Sequence, residues 1–591
     1  MGICVRVATA LVAVCISPSL MAQDWVDESN GHAQVLLEVM ARFNPEFAGR
    51  QGVEGVDRKV IDLLPGVDQR SDAATVQARE ELERRLGKAE HPKVRQDLQI
   101  LIQAAQDHLD RARLERKYML PYFNAPRIAF FGMQALLDPQ LPQDKHAAAL
   151  IRLKRYAGIE EGYEPMFSLA RARIEEKMGD DSLLGPYRGE VEKDLADIPR
   201  FVAGIRQLFQ AVGVEGYEEA LAALEAQAGE WQIWVGEKIL PRARDEFRLP
   251  EELYTFNLRD FGVYASPGQL IESALAAFVE IRNEMSALAP LVATSRGWKE
   301  RDYRAVLSRL REEQLEPDAI LPWYQEVLTN LEAVIERERI VTLPERDAII
   351  RLATEAESAA IPAPHLRQPR LIGNHGEPPE FVLPLTNPGQ PGEEVEKSDD
   401  FTHRAAAWTL TAHEARPGHE LQFSSIIERK VSVARALFAF NSVNVEGWAL
   451  YAEAVMKPYM PLDGQFISLQ HRLMRAARAF LDPMANTGQI DYDEIRRFLE
   501  QEVGLSSAMS RQEADRYAFR APGQATSYFV GYRNLLALRA ETELALGDAF
   551  DEQAFHDFLL SQGLLPMDLM REAVKEEFIA PALASRSPDE H

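Results

Sequence analysis

Amphipathic helical patterns follow one another through the first half of the chain, and they restrict the fold to a mostly helical one. Residues 75–117, 189–212 and 218–240 repeat apolar side chains at the three- and four-residue spacing of a helix. Pro92 follows His91 at a position where proline commonly begins a new helix. The residues before 250 contain no catalytic signature, so this half is predicted to be scaffold.

The helical pattern continues beyond residue 250. Ser266 and Pro267 supply an N-cap and a first-turn proline, which predict a helix that runs to about residue 288. Two more helices are predicted over residues 318–339 and 344–360. Further along, the segment that begins at Ser510 matches a capping box and predicts a helix start there.

Two histidines bracket a glutamate in the segment HEARPGHELQ, residues 413–422, which follows an apolar stretch predicted to be a buried helix. Neutral imidazole is a good zinc ligand, so His413 and His419 are candidate ligands. A glutamate next to a ligating histidine can reach the water that the metal binds, and Glu414 occupies that position. The motif therefore predicts a catalytic metal site.

The spacing of these histidines differs from that of the common zinc-helix motif. His413 and His419 are six residues apart instead of four, so their rings would diverge on an uninterrupted helix. Pro417 and Gly418 lie between them, and a break of the helix at this pair would bring both rings to one ion. The alternative is that His413 is a core histidine and His419 a helix cap.

A proline- and glycine-rich stretch, residues 361–400, precedes the histidine motif. Within it, residues 380–385 are the best strand candidate in the chain. Such a strand would form one wall of a cleft, and an extended peptide would pair with its edge. The alternative is a long surface loop.

Two glutamates follow the histidine motif on one predicted helix. Glu446 and Glu453 are seven residues apart, so they share a helix face, and Trp448 and Tyr451 between them favour burial. One carboxylate would be the third zinc ligand, and the other would orient a ligating histidine from outside. The sequence leaves open which glutamate has which role, and an ordinary surface pair is the alternative.

Polar groups further along the chain are candidates for contacts with a substrate. Arg472, Arg475 and Arg478 repeat every third residue, and they would pair either with the glutamates or with a substrate carboxylate. The alternative is a solvated basic stripe. Tyr528 follows a Pro-Gly pair near a helix start, where its hydroxyl would donate to a developing oxyanion, although a lone tyrosine more commonly packs.

The first 22 residues have the pattern of a secretory signal. Arg6 precedes an apolar run over residues 7–16, and the cleavage site is predicted after Ala22. The run is too short to span a bilayer. Cys15 follows Val14 where a lipid-attachment site needs a small residue, so a lipid anchor is disfavoured. The sequence predicts a periplasmic or secreted protein.

Cysteine content and net charge exclude several kinds of site. Cys4 and Cys15 are the only cysteines, and both lie in the predicted signal, so thiolate ligands, cysteine nucleophiles and disulfides are excluded from the predicted mature chain. Lysine and arginine number 66 against 92 acidic residues, a net charge of −26. Nucleic acid is therefore not an expected partner, because phosphate binding needs a basic surface.

Three segments together resemble a known family. HEARPGHELQ, NVEGWALYAE and PGQATSYFVGYR, in this order, are similar to segments of the large bacterial family called domain of unknown function 885, or DUF885. The resemblance is strongest from residue 250 onward. The family in turn resembles helical zinc peptidases whose metal is held by two histidines and one glutamate.

The resemblance implies roles for five residues. It implies that His413, His419 and Glu446 bind zinc. It also implies that Glu414 is the general base and that Tyr528 lies near the oxyanion.

These features predict a mostly α, large multi-helix fold with a minor β element before the zinc-binding helix and a cleft between two helical lobes. The predicted division is a signal peptide over residues 1–22, an N-terminal helical lobe over 23–250 and a catalytic helical lobe over 251–591. No membrane-spanning segment is expected after the signal.

The predicted function is hydrolysis of peptide or related amide bonds by an exported zinc enzyme. Zinc would hold the water, Glu414 would transfer its proton, and Tyr528 with Arg533 would stabilise the oxyanion. The alternative is a non-catalytic periplasmic protein that is stabilised by zinc and binds peptides. A second alternative is hydrolysis of a small ester or of a non-peptide amide.

Overall fold

The computed structural model describes residues 18–387, 396–397 and 399–585, and it is mostly helical, as the sequence predicts. The α-helices are α1 (Pro18–Phe43), α2 (Pro45–Gln51), α3 (Val67–Leu86), α4 (Pro92–Tyr118), α5 (Ala125–Gln134), α6 (Gln143–Tyr156), α7 (Met166–Glu175), α8 (Arg188–Val212), α9 (Glu218–Trp234), α10 (Glu251–Asp260), α11 (Pro267–Arg296), α12 (Tyr303–Glu312), α13 (Pro317–Glu338), α14 (Glu355–Ala360), α15 (Ala406–Glu414), α16 (His419–Glu428), α17 (Ser442–Met456), α18 (Leu462–Asn486), α19 (Tyr492–Phe498), α20 (Ser507–Asp515), α21 (Ser527–Leu546), α22 (Glu552–Ser561), α23 (Met567–Ala573) and α24 (Ala580–Ala584).

Two predicted helix starts, at Pro92 and after Ser266, are confirmed, whereas other predicted boundaries are not. His91 caps α4 through its side chain and Pro92 occupies the first turn. Ser266 forms a full capping box at the start of α11, but this helix continues past residue 288 to Arg296, where Gly297 in the left-handed conformation ends it. The predicted start at Ser510 is wrong, because Ser506 caps α20 and Ser510 is buried inside that helix.

A small sheet interrupts the helices before the histidine motif. Its strands are β1 (Ile349–Leu352), β2 (His365–Arg367) and β3 (Glu380–Leu383), and a separate short pair consists of β4 (Thr386–Asn387) and β5 (Glu396–Lys397). The strand order is β1-β3-β2, with β1 parallel and β2 antiparallel to β3. The predicted strand is thus confirmed as β3.

Two predictions about this region are wrong. The helix predicted over residues 344–360 is instead β1 followed by the short helix α14, because Thr354 and Glu357 form a capping box that starts a helix only there. An extended peptide has no edge of β3 to pair with, because β1 and β2 occupy both sides of this buried central strand.

The apolar interior is divided into several clusters. Helices α5 to α9 share one core, which contains Phe130, Phe201 and Trp231. The larger core is built mainly by α11, α13, α15, α17, α18 and α21. A cavity of about 570 Å³ is lined by residues from both sides of position 250, including Tyr122 and Phe519. The lobe boundary itself stays a prediction.

Helices α17 and α21 approach each other closely, and this contact brings two predicted site regions together. A side chain at Gly447 would overlap the backbone of Gly531, and one at Gly531 would overlap the carbonyl oxygen of Val443. Both positions therefore need glycine for close approach. The contact sets α17, which carries Glu446, against α21, which carries Tyr528.

The predicted signal segment lies outside the described residues up to position 17, and its last residues belong to the start of α1. None of the described helices combines the length and apolarity that a bilayer span needs.

Asp97 in α4 joins the N-terminal helices to the chain that follows α16. Its carboxylate accepts hydrogen bonds from Ser29 in α1 at 2.6 Å and from Ser432 at 2.5 Å. It also pairs with Nε of Arg435 at 2.8 Å, and both charged side chains are almost wholly buried. This group of polar contacts fixes α1 and α4 on the larger core.

We expect Asp97→Ala to destabilise the protein strongly, because it leaves the Arg435 charge buried without its carboxylate. The expected cost is about 3–5 kcal/mol, as for other broken buried ion pairs. The measurement is the midpoint of thermal and urea unfolding of the purified variant. Asp72→Ala is the matched control, since its pair with Arg116 is solvent-exposed and is worth at most about 1 kcal/mol. Equal shifts in the two variants would contradict the assignment.

Candidate metal centre

The helix that contains His413 ends at the predicted break. α15 ends at Glu414 and α16 begins at His419, and the Arg416–Pro417 peptide bond between them is cis. Gly418 lies against the end of α15, where a Cβ would overlap the carbonyl oxygen of His413. The lack of a side chain at this position therefore permits the close approach of the two helices.

Two side chains hold the connection between the helices in place. The indole N–H of Trp448 donates to the carbonyl of Pro417 at 2.9 Å. Arg416 donates through Nε to Glu420 at 2.6 Å and through Nη1 to Glu332 at 2.7 Å. The break is thus fixed from both sides, by α17 and by α13.

Three donor atoms converge beside this break. Nε2 of His419 lies 3.3 Å from Oε2 of Glu446, and Nε2 of His413 lies 3.7 Å from the same oxygen. One ligand atom from each of His413, His419 and Glu446 lies within 4.8 Å of the other two. The structure therefore brings together the two histidines and the first of the two glutamates.

Glu453 contacts the opposite side of the His413 ring. Its Oε1 lies 2.7 Å from Nδ1 of His413, and Thr409 and Arg475 contact the same carboxylate at 2.5 and 3.2 Å. Burial opposes the charge, but Arg475 and His413 lower the pKa of Glu453 to about 2. The two glutamates of α17 thus flank His413, with Glu446 at Nε2 and Glu453 at Nδ1.

The donor set fits a tetrahedral zinc ion. Zinc–nitrogen and zinc–oxygen bonds of about 2.0–2.2 Å place neighbouring ligand atoms roughly 3.3–3.5 Å apart. Oε2 of Glu446 lies 3.3 Å from Nε2 of His419 and 3.7 Å from Nε2 of His413, close to this range, and the three donor atoms lie within 4.8 Å of one another. Oε2 of Glu446 is also buried and has no hydrogen-bond partner within the described part of the chain. Although burial raises its pKa, the two imidazoles hold the pKa of Glu446 well below its usual value.

Glu414 faces a small cavity next to these donors. The cavity, of about 60 Å³, is also lined by His413, His471 and Tyr528. Oε1 of Glu414 lies 3.9 Å from Nε2 of His413. Burial raises the pKa of Glu414 to about 7. A carboxyl group with this pKa can hold or release a proton near neutral pH.

Tyr528 also lines this cavity, beside His413. Its ring is nearly parallel to the His413 ring, with the centroids 6.2 Å apart. Three guanidinium groups surround the Tyr528 ring, and the nearest, that of Arg478, lies 4.5 Å from the centroid. Burial raises the pKa of the phenol above its ordinary value, so Tyr528 keeps its proton at neutral pH.

Arg533 does not join the site, contrary to the prediction. Its side chain is exposed and its guanidinium lies over the ring of Phe529, 5.5 Å from the centroid. The reason is helical rotation, because five residues along α21 turn the side chain by about 140° from that of Tyr528.

Two residues that line the cavity, and one buried partner of a lining arginine, were missed in the sequence. His471 lines it from α18, and burial together with Arg475 holds the pKa of this histidine well below its ordinary value. Arg516 lines it from the turn that follows α20. Glu513 is the buried partner of Arg478. The helical spacing of His471, Arg475 and Arg478 on one face of α18 was the available signal for the first of them.

Another cavity, of about 220 Å³, lies between α2, α5 and the sheet. Phe131, Arg367 and Glu380 are among its lining residues, and no predicted site residue is. The site chemistry is therefore concentrated at the smaller cavity beside Glu414.

A model of the family described as "Bacterial protein of unknown function (DUF885)" matches residues 45–574. No curated protein of known function matches the chain.

Two solved structures are similar over nearly the whole chain. One, described as a "putative lipoprotein" from Colwellia psychrerythraea, has a TM-score of 0.74 at 17% identity and covers 94% of this chain and 98% of its own. The other, a "putative lipoprotein of unknown function" from Shewanella oneidensis, has a TM-score of 0.69 at 18% identity and covers 93% and 100%. At these identities the likeness shows the fold alone. A likeness to a "putative oligoendopeptidase F" from Bacillus anthracis has a TM-score of only 0.26 and carries no argument.

We expect Glu453→Gln to weaken zinc binding by about 10- to 100-fold, as is typical when the carboxylate behind a ligating histidine is replaced. The amide keeps the shape of the side chain but removes the charge that faces Nδ1 of His413. The measurement is competition for zinc with a chromophoric chelator. Glu543→Gln is the control, since Glu543 forms a partly exposed ion pair with Arg539 on α21. Unchanged zinc affinity in Glu453→Gln, with the fold intact by circular dichroism, would refute the supporting role.

Proposed function

This chain belongs to the bacterial DUF885 family, and we propose that it is a zinc-dependent hydrolase of peptide or related amide bonds. One observation carries the proposal, namely that the donor atoms of His413, His419 and Glu446 converge beside the buried carboxyl of Glu414. Two histidines, one carboxylate and an open fourth position form the ligand set of catalytic zinc sites.

The proposed ligands are Nε2 of His413, Nε2 of His419 and Oε2 of Glu446. When bound, zinc supplies a Lewis acid that polarises a carbonyl and lowers the pKa of bound water to about 7. Glu453 orients the His413 ring from the opposite side, which fixes the tautomer that leaves Nε2 free to bind metal.

Glu414 is the proposed general base. Its carboxylate accepts a proton from the attacking water and then returns that proton to the leaving amine. Burial and the raised pKa of about 7 support this role, because a base is most effective when its pKa is close to the working pH. Groups with strongly shifted pKa values in a cavity are also commonly functional.

Tyr528 is the proposed donor to the oxyanion. Its raised pKa keeps the hydroxyl protonated, its ring is nearly parallel to that of His413, and it lines the same cavity as Glu414. A donor that faces the developing charge stabilises the transition state more than the substrate. Arg533 has no part in the proposed mechanism, because it lies on the exposed side of α21.

We also propose that the protein is exported. Residues 1–22 carry the signal pattern, and two proteins of the same fold are described as putative lipoproteins. Mass spectrometry of the N-terminus distinguishes cleavage after Ala22 from a lipid-modified Cys15.

Glu414→Gln tests the general base directly. We expect this variant to keep its zinc, since no proposed ligand is altered, and to lose at least about 100-fold in turnover, within the usual range for a general base. The measurement is cleavage of a mixed peptide library, read by mass spectrometry, with zinc content determined in parallel. Glu428→Gln, which alters a partly exposed glutamate on α16, is the control.

The same library with and without chelator separates the candidate functions. Zinc-dependent cleavage supports the hydrolase. Zinc-dependent retention of peptides without cleavage would replace it with a binding protein. Cleavage of small esters or non-peptide amides alone would restrict the substrate to those compounds.

We expect Tyr528→Phe to lower kcat by about 100-fold with little change in KM, because a single oxyanion donor contributes roughly 3 kcal/mol to the transition state. The measurement is steady-state kinetics on a peptide that the wild-type protein cleaves. Tyr532→Phe, one turn further along α21, is the matched control. An increase in KM with unchanged kcat would show that Tyr528 binds the substrate but does not stabilise the transition state.

A further inference from the structure

Arginine side chains form one wall of the cavity that contains Glu414. Arg475 and Arg478 come from α18 and Arg516 follows α20, and all three line the cavity together with Tyr528. Arg475 and Arg478 retain only 5% and 4% of their side-chain exposure. A chain with a net charge of −26 therefore groups three cations at an interior surface.

The carboxylates nearby do not satisfy these three cations. Arg478 forms a two-pronged pair with Glu513, at 2.6 and 2.8 Å. Arg475 contacts Glu453, which also supports His413. Nη1 of Arg516 lies 3.8 Å from Glu513, so it shares a carboxylate that Arg478 already occupies.

Each of the three guanidinium groups has a buried nitrogen without an acceptor. These atoms are Nε of Arg475 and Nη1 of both Arg478 and Arg516, and none has a hydrogen-bond partner among the residues that the structure describes. A buried N–H group that lacks an acceptor is costly, and one that belongs to a charged group is more so. Planar guanidinium groups fit a carboxylate through parallel hydrogen bonds.

We propose that Arg475, Arg478 and Arg516 form a site for the C-terminal carboxylate of a peptide substrate. The inference rests on the proposed function, since the same cavity would hold the scissile bond. It makes the protein a hydrolase that acts near the free carboxyl end of short peptides. The carboxylate supplies the acceptors that the buried nitrogens lack.

The distances agree with a carboxylate that lies one or two residues beyond the scissile bond. The His413 and Tyr528 rings are 6.2 Å apart, and the Arg478 guanidinium lies 4.5 Å from the Tyr528 centroid. End to end, these two distances set an upper limit of about 11 Å for the separation. Two extended residues at about 3.5 Å each, together with the hydrogen bond to the carboxylate, reach about 10 Å, and one residue suffices only for a shorter separation. The cavity of about 60 Å³ has no room for a long chain beyond that point.

The test is a binding measurement on zinc-loaded Glu414→Gln, which is not expected to turn the peptide over. Three probes are titrated by calorimetry: N-acetyl-tetra-alanine with a free carboxyl, its C-terminal amide, and an amidated peptide in which one alanine is glutamate. We expect the free acid to bind at least about tenfold more tightly than either amide, as for a desolvated charge pair. Equal binding of acid and amide, or no binding of the acid, would overturn the inference. Equal binding of the acid and the glutamate peptide would overturn the assignment to the C-terminus.

Arg516→Gln, made in the same background, tests the residues named. Arg516 is chosen because Glu513 keeps its pair with Arg478 and Glu453 keeps its pair with Arg475. We expect the preference for the acid over the amide to fall at least about tenfold, with partial recovery in Arg516→Lys, which restores charge without the planar fork. Arg497→Gln, an exposed arginine on α19, is the control and keeps the preference. A preference that survives Arg516→Gln would refute the site.

Cleavage by the wild-type protein separates the two proposals. If the free acid binds more tightly than the amide but no zinc-dependent cleavage is seen, the carboxylate site is supported and the hydrolase is refuted. If acid and amide peptides are cleaved at equal rates, the hydrolase is supported and the carboxylate site is refuted.

Discussion

The close approach of α16 to the end of α15 is the constraint on which the rest of the site depends. Gly418 lies against the carbonyl of His413, and the Trp448 indole and the Arg416 guanidinium hold the connection in place. Because the helix stops between the two histidines, a six-residue spacing brings both imidazoles to one side, where α17 supplies a carboxylate. The site is thus made by an interrupted helix and not by the continuous helix of the more common zinc motif.

Buried charged side chains surround the candidate metal ligands. The carboxylate of Glu453 contacts His413, Thr409 and Arg475. It therefore links a candidate metal ligand, His413, to the arginines that line the cavity. Arg475 compensates the charge of this buried carboxylate, and its removal would leave that charge without a cation. The position of the His413 ring and the charge of the cavity are therefore coupled through a single side chain.

Local signals in the sequence predicted some of the helix starts, whereas contacts between distant elements were missed. Pro92 begins α4 and Ser266 caps α11 as predicted, because helix starts depend on the next few residues only. The strand β1 was predicted as helix because its stabilisation comes from pairing with β3, which follows later in the chain. Glu513 was taken for part of a capping box, yet it is buried against Arg478.

The site shows the same limit. His413 was predicted from the motif and Glu446 from the resemblance to the family, because the spacing alone left Glu446 and Glu453 open, but Arg516 depends on how the π-helical turn after α20 packs on α18. Arg533 was assigned from its nearness to Tyr528 in sequence, and helical rotation turns it to solvent.

The contrast between an acidic chain and a cationic cavity bears on how a substrate would be chosen. Charges at the surface are screened over about 8–10 Å at physiological salt, so the net charge of −26 acts weakly on a peptide that approaches from solution. Inside the cavity Arg475 and Arg478 are almost wholly buried, and screening is much weaker there. With a bound zinc ion, the positive charge of the ion and the three arginines would exceed the negative charge of Glu446, Glu414 and the two arginine-paired carboxylates, Glu453 and Glu513. Discrimination between a free carboxyl and an amide would then arise from contacts formed after entry, and not from long-range steering.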